Sequence, residues 1–377
     1  MKLYEFSNGD TVHRYEKSIV ICFQGPRSVL STGPNNGGFR TDLSAVFNHD
    51  ANPGSGMGIR LLADTYREHM DIIAEKQLGL SAETCTGLMT AASMNNAALH
   101  TVSYDDFSVT AIVTAGVRSN GGRIGDPASW HEKAENDFHS TPGTINILLY
   151  VEASLSAEAL AQALMSCTEA KTAALQELLI PSRYSCGLAT GTGTDGIIIV
   201  ADTTSPVHLT NAGKHSKLGE CIGKAVIAAL KESLYAQQGI NGEYQHDLLH
   251  RMDRFGITPD ALWKTYRSSS AASLSRAEFT DRLDRIKKED ILVTCTSLYA
   301  HLLDQLQWGL LREEECLSAG KAILRLAGLS DFEEQLSSSA PSQQEGKQTA
   351  SRQHQDTFSL MIDLYLRGLL ALLSSAR

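Results

Sequence analysis

The sequence lacks paired cysteines. Its seven cysteines are far apart and form no Cys-x-x-Cys pair; they are Cys22, Cys85, Cys167, Cys186, Cys221, Cys295 and Cys316. Zinc ribbons and small disulfide frameworks need a pattern of paired cysteines, so both classes are disfavoured. Most of the seven stand inside apolar segments, which predicts buried free thiols.

The sequence also lacks an excess of basic residues. It has 33 Lys and Arg against 43 Asp and Glu, a formal net charge of −10. Proteins that bind nucleic acid need clustered cations to contact phosphates. We therefore expect no nucleic acid as the main partner.

Long apolar runs are missing as well. The most apolar helical segment, Leu360 to Leu373, has about 14 residues and contains Asp363 and Arg367, so we expect it to be too short and too charged to span a bilayer. Met1 to Phe6 shows no apolar core before a small-residue cleavage site, so no secretory signal is visible. These observations predict a cytoplasmic protein without a membrane partner.

Three common catalytic motifs fail on inspection. Gly191, Gly193 and Gly196 fit Gly-x-Gly-x-x-Gly, but a β-branched run follows, where a dinucleotide site needs a helix. His131-Glu132 begins like the zinc-protease motif, yet Glu135 occupies the second histidine position. No Gly-x-Ser-x-Gly nucleophile elbow is present. We expect neither a bound metal nor a cofactor.

Hydrophobic patterning indicates an α+β fold. Short apolar runs predict strands, and longer periodic segments predict helices. The strands are expected at 18–23, 84–90, 107–114, 144–151, 184–188 and 197–201, and the helices at 58–76, 156–179 and 216–237. Successive strands without helical crossovers favour a mixed, largely antiparallel sheet packed by helices, with a layered α/β/β/α order as one form of it.

The second part of the chain has a different character. Residues 1–240 form the predicted core domain, and residues 241–334 an α-helical extension with start signals at Thr258-Pro259 and Ser275 with Glu278. Residues 335–356 are rich in Ser and Gln, which predicts a flexible linker. Residues 357–377 form the last predicted helix, which is amphipathic.

A glycine- and threonine-rich segment, Ala189 to Asp195, lies between two predicted strands. Glycines let the backbone approach a ligand closely, and three hydroxyls and one carboxylate come from the same few residues. This composition is typical of a binding or catalytic loop, although an ordinary glycine-rich hairpin explains it equally well.

Further polar clusters occur at Thr168 to Thr172, at Ala212 to Glu220, and from Val113 to Asn120. Ser216 is a candidate N-cap, and a histidine beside a helix N-terminus tends to stay neutral, as a proton acceptor requires. Each cluster also has a simpler interpretation. Glu169 and Lys171 can be solvated helix charges, and Asp195 can stabilise its own turn.

Taken together, the motifs resemble a known family. Five segments occur in order: 114–117 (Thr-Ala-Gly-Val), 143–146 (Gly-Thr-Ile-Asn), 168–171 (Thr-Glu-Ala-Lys), 189–195, and 215–219 (His-Ser-Lys-Leu-Gly). With Asn36-Gly37-Gly38 and Asn48-His49, they resemble the adenosylcobinamide amidohydrolase family of corrinoid salvage over residues 15–238. Residues 120–127 depart from the family pattern only at small residues and keep Asn120, Arg123 and Asp126.

The resemblance implies hydrolysis of the amide that joins aminopropanol to the corrin ring. The products would be adenosylcobyric acid and 1-amino-2-propanol, and the cobalt would belong to the corrinoid substrate. Asn- and Thr-rich loops would suit the amides of the corrin rim. A homo-oligomer is compatible with this interpretation.

Amide hydrolysis needs a nucleophile, a donor for the oxyanion and a proton for the leaving amine. Our hypothesis assigns water activation to Glu169 or Asp195, proton transfer to His215, and oxyanion stabilisation to Lys171, Lys217 or the loop amides. Thr192 or Thr194 is the rival nucleophile. The remaining expected substrate-binding residues are Asn36, Gly37, Gly38, Thr114, Asn120, Asn146 and Thr190.

Two other functions stay open at this stage. A corrinoid-binding protein without catalysis is one, although the Asp-x-His-x-x-Gly pattern that supplies a cobalt ligand is absent. A structural or partner-binding role of the helical extension is the other, and it would leave residues 1–240 inert.

Overall fold

The computed structural model describes residues 1–54, 61–128, 131, 143–269, 272–329 and 350–375. The chain forms two compact units, Met1–Asn241 (unit 1) and Gly242–Arg377 (unit 2). Every predicted site residue lies in unit 1.

Unit 1 combines short strands with three α-helices. The strands are β1 (Lys2–Glu5), β2 (Thr11–Arg14), β3 (Ser18–Cys22), β4 (Arg27–Ser31), β5 (Gly38–Arg40), β6 (Ala45–Asp50), β7 (Cys85–Thr90), β8 (Ala98–Tyr104), β9 (Phe107–Ala115), β10 (Gly121–Gly122), β11 (Ile145–Val151), β12 (Ser154–Leu155), β13 (Gly191–Thr192), β14 (Gly196–Asp202) and β15 (His208–Leu209). The helices are α1 (Tyr66–Ile72), α2 (Ala157–Glu177) and α3 (Lys217–Gln238), with a π-helical turn at Ile73–Leu78 and 3₁₀ turns at Ala82–Thr84 and Met94–Asn96.

The strands form two large sheets and two small ones. The first sheet has the order β1-β2-β3-β6-β7 and the second β5-β4-β14-β11-β9-β8, while β10 pairs with β13 and β12 with β15. Most neighbours are antiparallel, but β6–β7, β11–β14 and β12–β15 are parallel. Because parallel neighbours need a crossover, α1 connects β6 to β7 and α2 connects β11 to β14. The predicted mixed α+β class is confirmed.

The two large sheets pack face to face. One buried cluster joins Ile21 and Val46 of the first sheet to Ile112 and Leu148 of the second. A second cluster joins Phe47, on the other face of β6, to Met70 of α1. On the far side of the second sheet, α3 lies against β8 and β9, and α2 against β14. The layers therefore follow the order α/β/β/α.

Two predicted elements differ from the structure. The helix predicted over 58–76 begins only at Tyr66, because Thr65 caps it by accepting a hydrogen bond from Glu68 N; residues 58–60 lie outside the described residues. The strand predicted over 184–188 is absent. There the Ser182 and Ser185 hydroxyls accept hydrogen bonds from Tyr184 N and Gly187 N, which turns the chain instead of extending it.

Unit 2 is helical where it is described. Its helices are α4 (Gly242–Gln245), α5 (Leu248–Met252), α6 (Pro259–Arg267), α7 (Arg276–Ile286), α8 (Asp290–Gln307), α9 (Glu313–Leu326) and α10 (Ala350–Ser375), with a 3₁₀ turn at Asp253–Phe255. The predicted start signals are confirmed: Thr258 caps α6 with Pro259 in its first turn, and Ser275 with Glu278 forms a capping box on α7.

The last helix is longer than the sequence indicated. Residues 350–356, predicted as linker, belong to α10, and 335–349 lie outside the described residues. Within the described part of the chain, only its segment Gln355–Ser375 is long and apolar enough to cross a membrane. A buried stripe of α10 (Met361, Tyr365, Leu369 and Leu373) gives it the character of a helix in a bundle.

Candidate active site

The candidate site lies at one edge of the second sheet. There β9 ends at Ala115, opposite Ile145 at the start of β11, and Asn146 in turn pairs with Gly196 at the start of β14. The segment Thr190–Asp195, here called the threonine loop, leads into β14 at this edge. The topology thus brings three of the predicted motifs together.

Asp195 is the centre of the threonine loop. Its Oδ1 accepts hydrogen bonds from Thr192 Oγ1 at 2.5 Å and Ile145 N at 3.1 Å. Its Oδ2 accepts from Thr192 N at 3.0 Å and from Lys171 Nζ. The carboxylate therefore uses about all of the acceptor capacity that its two oxygens offer.

Lys171 reaches Asp195 from α2. The two side chains form a salt bridge and are 9% and 11% exposed, so the ion pair is largely removed from water. Gly191 makes this approach feasible, because a Cβ there would overlap Asp195 Oδ2 and lie 2.7 Å from Lys171 Nζ. Two of the four residues predicted as catalytic are thus in direct contact.

The other loop hydroxyls have neutral partners. Thr194 Oγ1 lies 3.1 Å from Gly143 O and also contacts the Thr144 hydroxyl. Thr190 Oγ1 accepts a hydrogen bond from Ile124 N at 2.9 Å, while the Thr190 carbonyl accepts one from Thr172. These contacts fix the loop on its neighbours.

Asn120 lies beside the threonine loop. Its Nδ2 donates to Gly143 O at 3.0 Å, and its Oδ1 accepts from Tyr184 OH at 2.9 Å. A Cβ placed on Gly193 would lie 3.6 Å from Asn120 Nδ2, so the two residues are neighbours. Asn120 and the threonine loop are therefore neighbours, and the substrate-binding role predicted for Asn120, Thr192 and Thr194 stays a prediction.

Thr114 and Asn146 form a separate polar ladder with Asn48. Asn146 Nδ2 donates to Asn48 Oδ1 at 2.8 Å and to Met89 O at 3.0 Å, and Asn48 Nδ2 donates to Thr114 Oγ1 at 2.8 Å. Thr114 and Asn146 are each 1% exposed. The ladder ties the two sheets together at the site edge, and the predicted substrate-binding role of these two residues stays a prediction.

Asn36, Gly37 and Gly38 form a turn that holds the chain to the first sheet. Asn36 Nδ2 donates to Ala82 O at 2.6 Å and Cys85 O at 2.8 Å. A side chain on Gly37 would collide with Gly33 O, and Gly38 has a φ of +88°. Close backbone approach explains Gly37 and the left-handed backbone conformation explains Gly38, and the predicted role of these residues toward substrate stays a prediction.

The remaining predicted residues are exposed and lie outside the Asp195 group. Glu169 pairs with Lys214 at 2.7 Å, with side chains 51% and 65% exposed. Lys217 pairs with Glu220 and lies over the Tyr104 ring. His215 is exposed just before α3, whose N-cap is Ser216 as predicted. None of Glu169, His215 and Lys217 contacts Lys171 or Asp195.

A buried histidine pair near this edge was not predicted. His49 follows Asn48 in β6 and interacts through Nδ1 with the Ser18 hydroxyl at 2.9 Å, and its ring lies 6.2 Å from that of His69. Burial, followed by the charges of His69 and Lys17, lowers the pKa of His49 to about 4. Leu62 N donates to His69 Nδ1, so the neutral His69 ring carries its proton on Nε2, which is buried and has no partner among the described residues.

Sequence reasoning missed four residues: Asn48, Thr144, Tyr184 and His69. Asn48 and Thr144 stood inside the motifs that carried the resemblance, so those motifs were a usable signal. Tyr184 and His69 left no signal, because their neighbours come from distant parts of the chain.

The described residues include no group of three or more His, Cys, Asp or Glu side chains placed to hold a metal ion. A concave region of about 500 Å³ lies at the other end of β14 and includes Asn8, Glu152 and Asp202 in its lining. It contains no predicted site residue.

Comparison with known proteins identifies the family. The family model described as adenosylcobinamide amidohydrolase (CbiZ) matches residues 3–242. The uncharacterised protein MJ1613 of Methanocaldococcus jannaschii is 35% identical over 237 residues, covering 59% of this chain and 88% of that protein. The adenosylcobinamide amidohydrolase of Methanosarcina mazei is 31% identical over 231 residues, covering 58% of this chain and 95% of the relative.

Among solved structures, the PH0078 protein of Pyrococcus horikoshii OT3 gives a weak match. Its TM-score is 0.34 at 11% identity, over 62% of this chain and 80% of that chain. The family assignment rests on the sequence matches and agrees with the motifs at the site edge. The chain belongs to the adenosylcobinamide amidohydrolase family and is an amidohydrolase.

Proposed function

We propose that this amidohydrolase hydrolyses the aminopropanol amide of adenosylcobinamide and releases adenosylcobyric acid and 1-amino-2-propanol. The family membership and the name of the Methanosarcina mazei relative support this substrate. The cobalt is part of the substrate, and the proposed reaction uses protein side chains and water.

The observation that carries the proposal is the threonine loop held by Lys171 and Asp195. Amide hydrolysis needs an oxygen nucleophile, a proton acceptor for it and positive or N–H donors for the oxyanion. The loop gathers hydroxyls, a carboxylate and an ammonium group within hydrogen-bond distance of one another at one sheet edge.

The polar groups near the loop also suit the substrate. Cobinamide carries neutral amides around the corrin rim and no phosphate, so its recognition needs neutral donors and acceptors more than a basic patch. Asn120 and Tyr184 supply such groups beside the loop. The overall acidic charge of the chain is compatible with a substrate of this kind.

The test is to incubate the full chain with adenosylcobinamide and follow products by chromatography with mass detection. We expect equal amounts of adenosylcobyric acid and 1-amino-2-propanol. Lys171→Met should abolish most of this release, while Thr168→Val serves as the matched control, because Thr168 bonds only to Leu164 O on the exposed face of α2.

Two results would contradict the proposal. Binding of adenosylcobinamide, visible in the corrin absorption spectrum, without any product would favour a corrinoid-binding protein. Neither binding nor product would mean that the site acts on a different amide.

A further inference from the structure

We propose that Thr192 is the nucleophile and that the reaction passes through an acyl-enzyme ester on its Oγ1. This inference rests on the proposed function, because it takes the same amide as the reacting group. It concerns the route of hydrolysis, which the family assignment leaves open.

The hydrogen bonds of Asp195 limit which oxygen its carboxylate can activate. Both carboxylate oxygens already accept two hydrogen bonds each, from Thr192, Ile145 N and Lys171. A water molecule would have to displace one of these donors before Asp195 could take its proton. Among the described residues, Thr192 carries the only hydroxyl bonded to the carboxylate, so it is the group whose proton Asp195 can take without rearrangement.

The hydrogen bond between Thr192 and Asp195 is short. Thr192 Oγ1 lies 2.5 Å from Asp195 Oδ1, the short distance typical of a hydroxyl donating to an ionised carboxylate. Thr192 N also donates to Asp195 Oδ2, so the residue is held at both its backbone and its side chain. Thr192 is only half-buried, which leaves a side open to substrate.

Thr194, the other hydroxyl candidate, lacks a base. Its hydroxyl faces Gly143 O and Thr144, which are neutral acceptors at neutral pH. The loop thus contains two similar hydroxyls, of which one is paired with a carboxylate.

A backbone N–H group lies next to Thr192 in the chain, at Gly193. Among the described residues the structure gives Gly193 N no acceptor, and Gly193 is exposed with no side chain to block approach. A backbone N–H beside the nucleophile is the usual donor for an oxyanion. Lys171, bonded to Asp195, adds a positive charge to the same group.

The reaction has two stages, acylation of Thr192 and hydrolysis of the resulting ester. Thr192 Oγ1 bonds to the amide carbon as its proton passes to Asp195 Oδ1, and Gly193 N–H stabilises the oxyanion. The C–N bond then breaks, and the proton on Asp195 moves to the departing 1-amino-2-propanol. Water attacks the ester carbon, giving one proton to Asp195 and then to Thr192 Oγ1, and adenosylcobyric acid leaves.

The test traps the ester in the full chain with adenosylcobinamide and hydroxylamine. If an acyl-enzyme forms, hydroxylamine attacks its ester, so the yield of corrinoid hydroxamate should rise with the hydroxylamine concentration. The rate of 1-amino-2-propanol release should stay the same. Acid-quenched protein should carry the corrinoid acyl mass on the peptide that contains Thr192. Failure to form hydroxamate at any soluble hydroxylamine concentration overturns the proposal and leaves the amidase function standing.

Variants give a second, independent reading. Thr192→Val should lower turnover by at least about 10³-fold and abolish the adduct. Thr192→Ser, which keeps the hydroxyl, should still turn over the substrate and form the adduct. Thr194→Val should still form the adduct. The role of Thr192 would be refuted if the adduct formed on another residue, or if Thr192→Val kept more than about a tenth of normal turnover. A wild-type protein that releases no product would refute both this route and the proposed function.

Discussion

The two ends of β14 each hold a buried ion pair, and the two pairs differ in their surroundings. At one end Arg27, which is 1% exposed, forms a fork with Asp10 at 2.7 and 2.8 Å and a third contact with Asp202 at 3.0 Å. At the other end Lys171 and Asp195 pair beside the threonine loop. Seven residues of strand separate the two ends, on the order of 20 Å.

Both groups satisfy their charges, and each includes a hydroxyl that donates to a carboxylate. Around Arg27 the fully buried Tyr150 hydroxyl donates to Asp10, and burial raises the pKa of that phenol. The exposed Thr204 hydroxyl donates to Asp202 Oδ1 at 2.6 Å. Around Asp195 the hydroxyl is that of Thr192, which is only half-buried. A buried ion pair with a hydroxyl bonded to it is therefore a weak indication of function by itself. The Asp195 end is distinguished by its position in the segment 189–195, one of those that resemble the family.

The largest effect should come from breaking the Arg27 end. Arg27→Met leaves Asp10 and Asp202 buried without their cation, which typically costs about 3–5 kcal/mol of unfolding free energy. Urea unfolding followed by circular dichroism should show the loss in unit 1. Lys224→Met, which removes an exposed ion pair with Glu220, is the matched control and should cost about 0.5 kcal/mol or less. Equal losses would mean that the burial of Arg27 has no energetic weight.

The Lys171 end should respond in activity more than in stability. Asp195→Asn keeps the size of the side chain but removes the charge and the base, so turnover should fall by about 10²- to 10³-fold. Lys171→Met should fall by a similar factor. Since both residues act as one group, the double variant should lose much less than the product of the two factors. Independent, multiplying losses would show that the two side chains do not act together.

The buried histidines should make stability depend on pH. Asp50, Lys17 and His69 lie around His49, and its pKa of about 4 lies below the ordinary value of 6.5. The folded state therefore binds fewer protons, so its stability is complete above about pH 6.5 and declines as pH falls toward 4, by at most about 3 kcal/mol.

His49→Asn should flatten this decline between pH 6.5 and 4, measured by urea unfolding at several pH values. His215→Asn, at an exposed position, should leave the decline as in the wild type. If the His49 variant kept the full pH dependence, other buried groups would have to account for it; the pKa of His69 is also lowered by burial.

The sequence was informative where the determinants are local. β-branched runs located β3, β7, β9, β11 and β14, and hydroxyl caps located the starts of α3, α6 and α7. The strand predicted over Tyr184–Leu188 was wrong because serine hydroxyls accept hydrogen bonds from backbone N–H groups of this segment. Local composition does not show which donors a backbone will find.

Contacts between distant segments were beyond the sequence. Lys171 and Asp195 are 24 positions apart, and their contact depends on how α2 crosses the second sheet. Asn48 reaches Asn146 across two packed sheets, a distance in sequence that no spacing rule covers. The family resemblance pointed to the threonine loop, whose role in the site stays a prediction, and it could not separate Lys171, which is buried, from Glu169, two positions earlier on an exposed face.

The smallest effect should come from the exposed residues of the predicted site. Its size tests the roles that the motifs suggested against the positions of these residues in the structure. If Glu169 or His215 performs acid–base chemistry, then Glu169→Gln or His215→Ala should lower turnover by about 10²-fold or more. Because Glu169 is half-exposed and paired with Lys214, and His215 is exposed, we expect changes below about threefold. The measurement is kcat and KM with adenosylcobinamide beside Asp195→Asn. A loss as large as that of Asp195→Asn would require the N-terminal end of α3 to approach the threonine loop when substrate binds.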